Sequence, residues 1–410
     1  MTDKTQNADS DFTLEAVPQD RRLPAVQVFS IWIGFILVVG IMAVGGGLAA
    51  QLQKGDFVLA VVIGNIVLAL FAAFTGYVGA KTGMAFNQMV RTAFPGKLGG
   101  MANLYVPVVL VGWYAVEAAL FGSFVAQAFG LSEVAERIVM LLSALFFATS
   151  SYIGFRGLKW VSYVMVPLIL VLGSYAVLAV LQRSDLTFAF GEPITLSTGV
   201  SFVIASWIMG VLTSLPDLTR FCRKPIYGAL VGGVGILVAN SFNLIIGGYG
   251  ASLSQQSDPA LILYSLGFVV AGLIFSLANI WTTNDSNMYS ASLNLSSLTG
   301  VSRRNCVLIC TFVGAILAAF DPAKLTVIFT FLIFMGNTAP ALAGVVYTAW
   351  ILRKPSYPSW CPWAAWALGA LASWWAGGLW ALPLGIIVSS SLLVMFGKIR
   401  WNVAGFGSDR

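Results

Sequence analysis

Long apolar stretches recur from one end of the chain to the other, with short polar segments between them. A helix that crosses the hydrocarbon core of a bilayer needs about 20 mostly apolar residues, which matches these stretches. The pattern predicts twelve membrane-spanning helices, at residues 26–52, 57–79, 100–128, 134–155, 159–182, 197–216, 227–250, 260–284, 303–320, 325–350, 362–377 and 380–397. The acid-rich segment 1–25 is expected to be a disordered tail, and 398–410 is expected to form a second tail.

The composition favours a membrane protein over a soluble one. Of the 410 residues, 58% are hydrophobic and 9% are charged, whereas an ordinary soluble domain has about 25% charged residues. The first apolar run is too long for a secretory signal, and no small-residue cleavage site follows it. The chain is therefore expected to be an all-α polytopic membrane protein.

Lysine and arginine residues fall mostly in alternate segments between the predicted spans. If the N-terminus is cytoplasmic, 18 of the 22 basic residues lie in cytoplasmic segments, and the others are Lys54, Arg137, Arg183 and Lys324. Basic residues are enriched in cytoplasmic loops, so the pattern supports twelve spans in a plasma (inner) membrane with both termini inside. The net charge of +6 then reflects topology, and nucleic acid is not an expected partner because no aromatic platform accompanies the basic residues.

Residues that commonly catalyse reactions or bind metals are sparse. The chain has no histidine, which excludes His-based catalysis and removes the commonest metal ligand. The four cysteines form no CxxC pair, and Cys306 and Cys310 share a helix face on which packing is the expected role. Without a Ser–His pair or paired intramembrane aspartates, neither an enzyme nor a cofactor is expected. Rings of charge typical of channels are also not evident, so solute transport is the predicted task.

One carboxylate stands in the middle of the third predicted span. Glu117 follows Trp113 by four residues, so the two side chains share a helix face. An aromatic plate beside a carboxylate can stack on a flat ring and hydrogen-bond its edge. The alternative is that Glu117 only bonds a neighbouring helix and Trp113 only packs. Because an ionisable group at bilayer depth is costly, the functional interpretation is preferred.

A second polar cluster lies at the predicted end of the eighth span. Asn279, Thr282 and Thr283 are spaced i, i+3 and i+4, again on one face. Hydroxyl and carbonyl oxygens are hard ligands that suit an alkali cation. Ser and Thr also serve as ordinary contacts between membrane helices, but four consecutive polar residues in an apolar helix favour a site.

Glycine and proline interrupt two spans at corresponding places. The first span contains Gly34, Gly40 and the run 45–47, and the sixth contains Gly210 and Pro216. Interruptions that correspond in two halves of a transporter indicate a binding site built from broken helices. Glycine also permits close helix packing, which is an equal alternative for 45–47 taken alone. The spacing of five helices favours a five-plus-five inverted repeat.

Several segments resemble the cytosine permeases of the nucleobase–cation symporter family 1. The stretch NIWTTND at 279–285 is similar to the family's eighth-helix signature and is quite specific. The stretches DLTRF at 217–221, FVLAVVIGN at 57–65 and GAKTG at 79–83 resemble the same group with moderate specificity. Together they cover helices one to eight, whereas the last third is similar mainly in hydropathy.

The resemblance implies an alternating-access symporter of the LeuT-like fold. Its inverted repeats would be about 26–182 and 197–350, followed by two C-terminal helices at about 362–397. Family members commonly carry a sodium ion between the first and eighth helices. By position, the ion's ligands here would be the carbonyls of Gly34, Leu37 and Asn279 and the hydroxyls of Thr282 and Thr283.

The resemblance also implies a slot for a flat heterocycle. Its residues here would be Trp113, an aromatic residue near Trp207, and Asn284. Counting back from Asp217 places Ile208 at the expected aromatic position, so Trp207 and Ile208 are both candidates.

Two further positions depart from the resemblance. The cytosine permeases have a glutamine where this chain has Leu110, and hydantoin-type relatives have an amide where it has Glu117. The departure puts cytosine in doubt and favours a ligand with N–H donors or a cationic ring.

The predicted function is therefore sodium-coupled uptake of a nucleobase or a related flat nitrogen heterocycle. One alternative makes Glu117 a proton site, with proton-coupled transport of a nucleobase-like or pyrimidine vitamin-precursor substrate. A more distant alternative is an amino-acid transporter of the same fold, because the glycines of helix one could expose backbone amides to a carboxylate. The expected partners are the solute, sodium and the lipid bilayer, and the oligomeric state is left open, with a monomer as one option.

Overall fold

The apolar segments are helical in the computed structural model, which describes residues 12–13, 15–96, 99–181, 186–255, 257–352 and 357–404. No strand occurs in these ranges, apart from one isolated bridge between Leu23 and Cys222. The α-helices are α1 (Ala25–Ile36), α2 (Val39–Gln51), α3 (Lys54–Thr82), α4 (Phe86–Ala93), α5 (Tyr105–Phe129), α6 (Glu133–Phe147), α7 (Thr149–Ile153), α8 (Phe155–Leu181), α9 (Leu196–Met209), α10 (Leu215–Thr219), α11 (Pro225–Gly235), α12 (Ser241–Ser254), α13 (Pro259–Ser265), α14 (Val269–Thr299), α15 (Arg303–Ala318), α16 (Leu325–Ile351), α17 (Cys361–Ala376) and α18 (Ala381–Ala404).

The described residues contain fewer candidate membrane spans than the twelve predicted. Within the described ranges, eight helices are long and apolar enough to cross a membrane, and ten candidates result if each of two bent pairs counts as one span. The bent pairs are α1 with α2, at 52°, and α14 with α15, at 115°. Helices α15 and α17 have 16 residues each, which is short for a span of about 20. The count of twelve stays a prediction.

Burial separates central from peripheral helices. The most apolar stretch of the α9–α10 segment has 72% of its residues buried. The most apolar stretch of the segment that contains α5 has 67% buried. The corresponding fraction is 28% in both α8 and α18. Helices with one apolar side left open suit contact with lipid, whereas α5 and α9–α10 are surrounded by protein. Several polar residues of these central helices are buried, such as Glu117 and Ser206, whereas Gln127 near the end of α5 is exposed.

The eighth span differs from its predicted bounds of 260–284. The structure has a separate short helix, α13, and then α14, which continues to Thr299. Hydropathy falls after position 284 because α14 carries many serines and asparagines there, yet almost all of them are buried against other helices. The polar cluster 279–285 consequently lies in the middle of a long helix and not at its end.

The first span is broken, but not at its run of three glycines. Helix α1 ends before Leu37, and Val38 is extended, with φ −146° and ψ 132°. The run 45–47 is helical and packs closely, since a Cβ on Gly45 would lie 2.4 Å from the carbonyl oxygen of Leu244 on α12. Close packing is thus the correct interpretation of that run. The sixth span contains a π-helical turn at Gly210–Ser214 between α9 and α10.

Part of the segment predicted to be a disordered tail packs against the helices. We call residues 12–13 and 15–23 the N-terminal strap. Gln88 of α4 donates Nε2 hydrogen bonds to the carbonyls of Phe12, Thr13 and Glu15, at 2.9–3.4 Å. The buried Arg220 donates to the carbonyl of Phe12 at 2.8 Å. Side chains of the helix bundle thus donate hydrogen bonds to the carbonyl groups of the strap. The distribution of charged residues along the sequence does not reveal these contacts.

The structure describes only part of each chain end. Residues 1–11 and 14 lie outside the described residues, as do 405–410. Helix α18 continues to Ala404, seven residues past the predicted end of the twelfth span, so part of the predicted C-terminal tail is helical.

Candidate functional site

Two buried asparagines satisfy the backbone groups that the break between α1 and α2 exposes. The N–H of Val39 donates to Asn279 Oδ1 of α14 at 2.6 Å. Asn243 of α12 donates through Nδ2 to the carbonyl of Ile36 at 2.6 Å. A break at membrane depth is tolerated only where the backbone is buried in protein or lines a cavity. The break is therefore stabilised by hydrogen bonds from two other helices, α12 and α14.

Oxygen atoms from both sides of the break converge on one hydroxyl. Thr283 Oγ1 lies 3.2 Å from the carbonyl oxygen of Phe35 and 3.3 Å from those of Leu37 and Asn279. Thr282 Oγ1 is 2.9 Å from the same Asn279 oxygen. A hydroxyl has one proton to donate, so several of these carbonyl lone pairs remain free. We call these five residues the oxygen cluster, and such oxygens are suitable ligands for a hard cation.

The predicted sodium ligands are only partly brought together. Leu37, Asn279 and Thr283 meet at the break, as the prediction required. The Thr282 hydroxyl bonds the carbonyls of Ala278 and Asn279 within its own helix. Gly34 lies three residues before the break and faces α8, where its added Cβ would be 3.0 Å from Ser162 Oγ. The sequence interpretation missed Phe35, because a backbone carbonyl carries no residue-type signal.

A small cavity lies beside the oxygen cluster. Its volume is about 30 Å³, which is room for one or two water molecules. Its lining includes Trp113, Glu117, Trp207 and Thr283, all of which the sequence analysis singled out. A heterocyclic ring requires more space, so side chains must move before one can enter. Thr283 belongs to both the cavity and the oxygen cluster.

Aromatic rings form part of the cavity wall. The rings of Trp207 and Phe35 are perpendicular, with centroids 4.9 Å apart. Trp113 donates its indole N–H to Met335 Sδ at 3.3 Å. The Trp207 ring is accommodated by Gly210 at the start of the π-turn, where an added Cβ would lie 2.5 Å from the ring. Gly210 thus leaves room for the Trp207 ring, because any larger residue at that position would clash with it.

The structure distinguishes Trp207 from Ile208. Trp207 lines the cavity, whereas Ile208 is fully buried and is not part of its wall. Successive residues of a helix point about 100° apart, and here that turn carries Ile208 away from the cavity. Trp207 is therefore the cavity residue of the pair in this conformation, and a contact of Ile208 with the solute stays a prediction.

Asn284 is also absent from the cavity wall, and Asn287 takes its place. Asn284 donates through Nδ2 to the carbonyl of Tyr114 on α5 at 3.3 Å. Asn287 follows Thr283 by four residues and therefore shares its helix face. That spacing was a usable signal, but the assumed end of the helix at 284 concealed it.

Glu117 is fully buried against the first turn of α2. A Cβ added to Gly40 would lie 2.3 Å from Glu117 Oε1, so only glycine leaves room for the carboxyl group. Within the described part of the chain, no donor forms a well-aligned hydrogen bond to either carboxyl oxygen, although the Gly40 N–H lies nearby. Buried polar groups normally have a hydrogen-bond partner, so this carboxyl group is the strongest candidate for contact with a bound solute.

A second buried acid lies on α14, away from the cavity wall. Asp285 accepts a hydrogen bond from Ser150 Oγ at 3.0 Å and one from Ser286 Oγ at 3.2 Å. Trp281 donates its indole N–H to the same Ser150 hydroxyl at 3.0 Å. These bonds join α14 to α7, and they account for Asp285 as a structural residue.

Comparison with known proteins places this architecture among permeases. Residues 16–377 match the family described as permeases for cytosine/purines, uracil, thiamine and allantoin. The chain is 29% identical over 355 residues to the cytosine permease of Escherichia coli strain K12, covering 85% of this chain and 83% of the relative. It is 20% identical over 377 residues to the hydantoin permease of Microbacterium maritypicum, covering 81% and 74%.

Solved transporters share the fold. The structure of Mhp1, a nucleobase-cation-symport-1 family transporter in a closed conformation with bromovinylhydantoin bound, matches with a TM-score of 0.80 at 17% identity and covers 94% of both chains. The inward-facing conformation of Mhp1 gives the same TM-score at 16% identity, covering 95% of this chain and 93% of that one. A Na⁺-coupled sialic acid symporter matches at 0.70 and 12% identity, covering 97% and 93%. The expectation of a LeuT-like five-plus-five fold is confirmed.

Proposed function

Because the chain belongs to the family of permeases for cytosine/purines, uracil, thiamine and allantoin, we propose that it takes up a nucleobase or related flat nitrogen heterocycle by sodium-coupled symport. Membership in this family makes the protein a multi-pass membrane transporter for nucleobase-like solutes. We further propose that it works in a plasma (inner) membrane with both termini in the cytoplasm, as the distribution of basic residues indicates.

The shared position of Thr283 is the observation that carries the proposal. Its side chain lines the cavity, and its hydroxyl lies 3.2 Å from the Phe35 carbonyl oxygen in the oxygen cluster. A cation bound there would hold the two halves of the broken first span and α14 together. Since the same residues shape the cavity, cation binding would favour the conformation that accepts the solute. Two ligands coupled in this way stabilise each other's binding equally.

The proposed sodium ligands are the carbonyls of Phe35, Leu37 and Asn279 and the hydroxyl of Thr283. The hydroxyl of Thr282 shares the Asn279 oxygen and would join them after rotating about its Cα–Cβ bond. Gly34 remains a proposed ligand only through the family resemblance. The substrate residues that we propose are Trp113, Glu117 and Trp207, together with Asn287.

Ion replacement tests the coupling. Purified protein in liposomes should accumulate a radiolabelled nucleobase when an inward sodium gradient is imposed, and should not do so when choline replaces sodium. A proton gradient alone should then have no effect. Uptake that persists in choline and follows the proton gradient would overturn sodium coupling while leaving the fold and the solute class intact.

Proton coupling through Glu117 is the second candidate. It is favoured by the burial of that carboxyl group and by its two oxygens without partners in the described residues. In that case Glu117→Gln should uncouple uptake from pH, and unchanged pH dependence in the variant would exclude the proton role.

A further inference from the structure

The polar side chains of the cavity differ in how far they are already hydrogen-bonded. Ser206 Oγ donates to the carbonyl of Val203 at 2.7 Å and accepts from Asn240 Nδ2 at 3.2 Å. Asn287 donates to the side chain of Asn284 at 3.4 Å. In contrast, Glu117 presents two acceptor oxygens without a partner among the described residues. The unmet hydrogen-bonding capacity around the cavity therefore comprises the two acceptor oxygens of Glu117 and one donor, the indole N–H of Trp207, which also has no partner among the described residues.

Glu117 lies beside the amino end of α2. Gly40 is the second residue of α2, and Glu117 Oε1 occupies the space where a Cβ of Gly40 would be. The amino end of a helix carries a partial positive charge that attracts a carboxylate. In its ionised form Glu117 would offer two acceptor oxygens and no donor.

We propose that Glu117 binds the solute as a carboxylate and thereby selects a planar ring whose edge offers two adjacent N–H donors, the cyclic guanidine or amidine edge of a 2-amino-oxo pyrimidine or purine. A carboxylate binds such an edge through two parallel N–H···O bonds. Trp113 would cover the face of the ring while Glu117 holds its edge. This inference rests on the proposed function and narrows its substrate class.

The same geometry disfavours other nucleobase-like rings. The N3–H of uracil or hydantoin lies between two carbonyl groups, and the N1–H lies between a carbonyl and a C–H group, so neither ring offers a carboxylate two adjacent N–H donors. Neutral cytosine pairs each donor with an adjacent acceptor and leaves one carboxylate oxygen unpaired. Leu110, which also lines the cavity, offers no hydrogen bond in compensation. A site built around a hydrogen-bonded edge strongly rejects analogues that lack the matching groups.

Binding measurements with four small rings test this proposal. Isocytosine, cytosine, uracil and hydantoin are titrated in sodium buffer against the full-length wild type and Glu117→Gln. Wild type should bind isocytosine at least about tenfold more tightly than uracil or hydantoin, since one charge-assisted bond is gained and one repulsion is avoided. Glu117→Gln presents one acceptor and one donor, so its preference should shift to cytosine or uracil. Glu136→Gln, which alters a carboxylate on α6 that Ser123 already bonds, should keep the wild-type order.

The possible outcomes are distinct. Equal or tighter binding of uracil or hydantoin by wild type would overturn the edge preference, because it would mean that Glu117 acts as a neutral carboxyl group or does not contact the ring. An unchanged order in Glu117→Gln would overturn it as well. Binding of none of the four rings would overturn the proposed function together with this inference. Unfolding temperatures of the variants, measured without ligand, show whether a lost preference reflects misfolding.

Discussion

Trp113 presents a flat ring to the cavity, and contacts behind it hold that ring in place. Its indole N–H bonds Met335, and its ring lies 5.6 Å from that of Phe331, both on α16. A ring fixed in this way can stack on a solute without losing much side-chain entropy on binding. Glu117, one turn further along α5, is proposed to contact the edge of the same solute.

We expect Trp113→Ala to weaken solute binding by about 1 kcal/mol or more, which is at least about fivefold in Kd. The stacking surface is lost while the edge contact remains. Isothermal titration with the best-bound ring measures the change. Trp160→Ala removes an indole that is 57% exposed on α8 and should leave Kd unchanged. Intact affinity in Trp113→Ala would exclude the stacking role.

Thr283 is the residue through which ion binding should reach the solute. We expect Thr283→Val to raise the sodium concentration for half-maximal uptake on the order of tenfold, or about 1.4 kcal/mol. Valine keeps the branched shape and removes only the hydroxyl oxygen. Uptake at increasing sodium concentrations in liposomes measures this effect.

The matched control for that variant is Thr75→Val on α3. Thr75 is fully buried, and its hydroxyl donates to the carbonyl of Ala72 in its own helix, away from the oxygen cluster. Equal sodium activation in the two variants would show that the oxygen cluster is not the ion site.

At the scale of elements, the break in the first span depends on other helices. Val38 is extended and its N–H lies 3.4 Å from Asn243 Oδ1, while Asn243 Nδ2 donates to the carbonyl of Ile36. The pair of bonds joins α12 to both sides of the break. Helix α12 also carries a π-turn at its start, Ile236–Asn240, and such turns are frequent at functional sites.

We expect Asn243→Ala to destabilise the protein by about 1–3 kcal/mol, because it leaves a buried carbonyl and a buried N–H without their partner. The measurement is thermal unfolding in detergent, with and without sodium. Asn305→Ala removes an exposed asparagine at the start of α15 and should not change the melting temperature. If the two variants melt alike, the break does not require Asn243.

At the scale of the whole molecule, the N-terminal strap covers one face of the bundle. Leu23 N–H donates to the carbonyl of Phe221 at 2.6 Å, and Val17 N–H donates to that of Gly83 at 2.8 Å. The strap thus joins the ends of α3 and α10. Cys222 lies beside it and is fully buried. Burial raises the pKa of the Cys222 thiol to about 12, so the thiol is protonated and unreactive at neutral pH.

We expect Gln88→Ala to accelerate maleimide labelling of Cys222, because Gln88 holds three carbonyls of the strap. When the strap loosens, the thiol becomes exposed and its pKa falls towards its ordinary value, so the reactive thiolate fraction rises. Mass spectrometry of labelled peptides at pH 7–8 measures the rate. Gln51→Ala, which loses a bond to Gly47 within α2, is the control. Equal rates would show that the strap does not protect this face.

The sequence determined the fold class of this protein and predicted the main residues of the candidate site. Apolar stretches long enough for a bilayer leave few other folds open, and the rarity of a carboxylate at that depth drew attention to Glu117 and, four residues before it, Trp113. The polar run 279–285 indicated Thr283 in the same way. Each signal comes from residue type and helical spacing, which do not depend on the other helices.

Other features were decided only by tertiary structure. The break at Leu37 and Val38 carries no glycine or proline, and it exists because Asn243 and Asn279 from distant helices satisfy the backbone there. The carbonyl of Phe35 became part of the oxygen cluster for the same reason. The choice of Asn287 over Asn284 depended on how far α14 extends and on which helix its polar side chains meet. Backbone carbonyls look alike in every sequence, so only the packing of the helices shows which of them line a site.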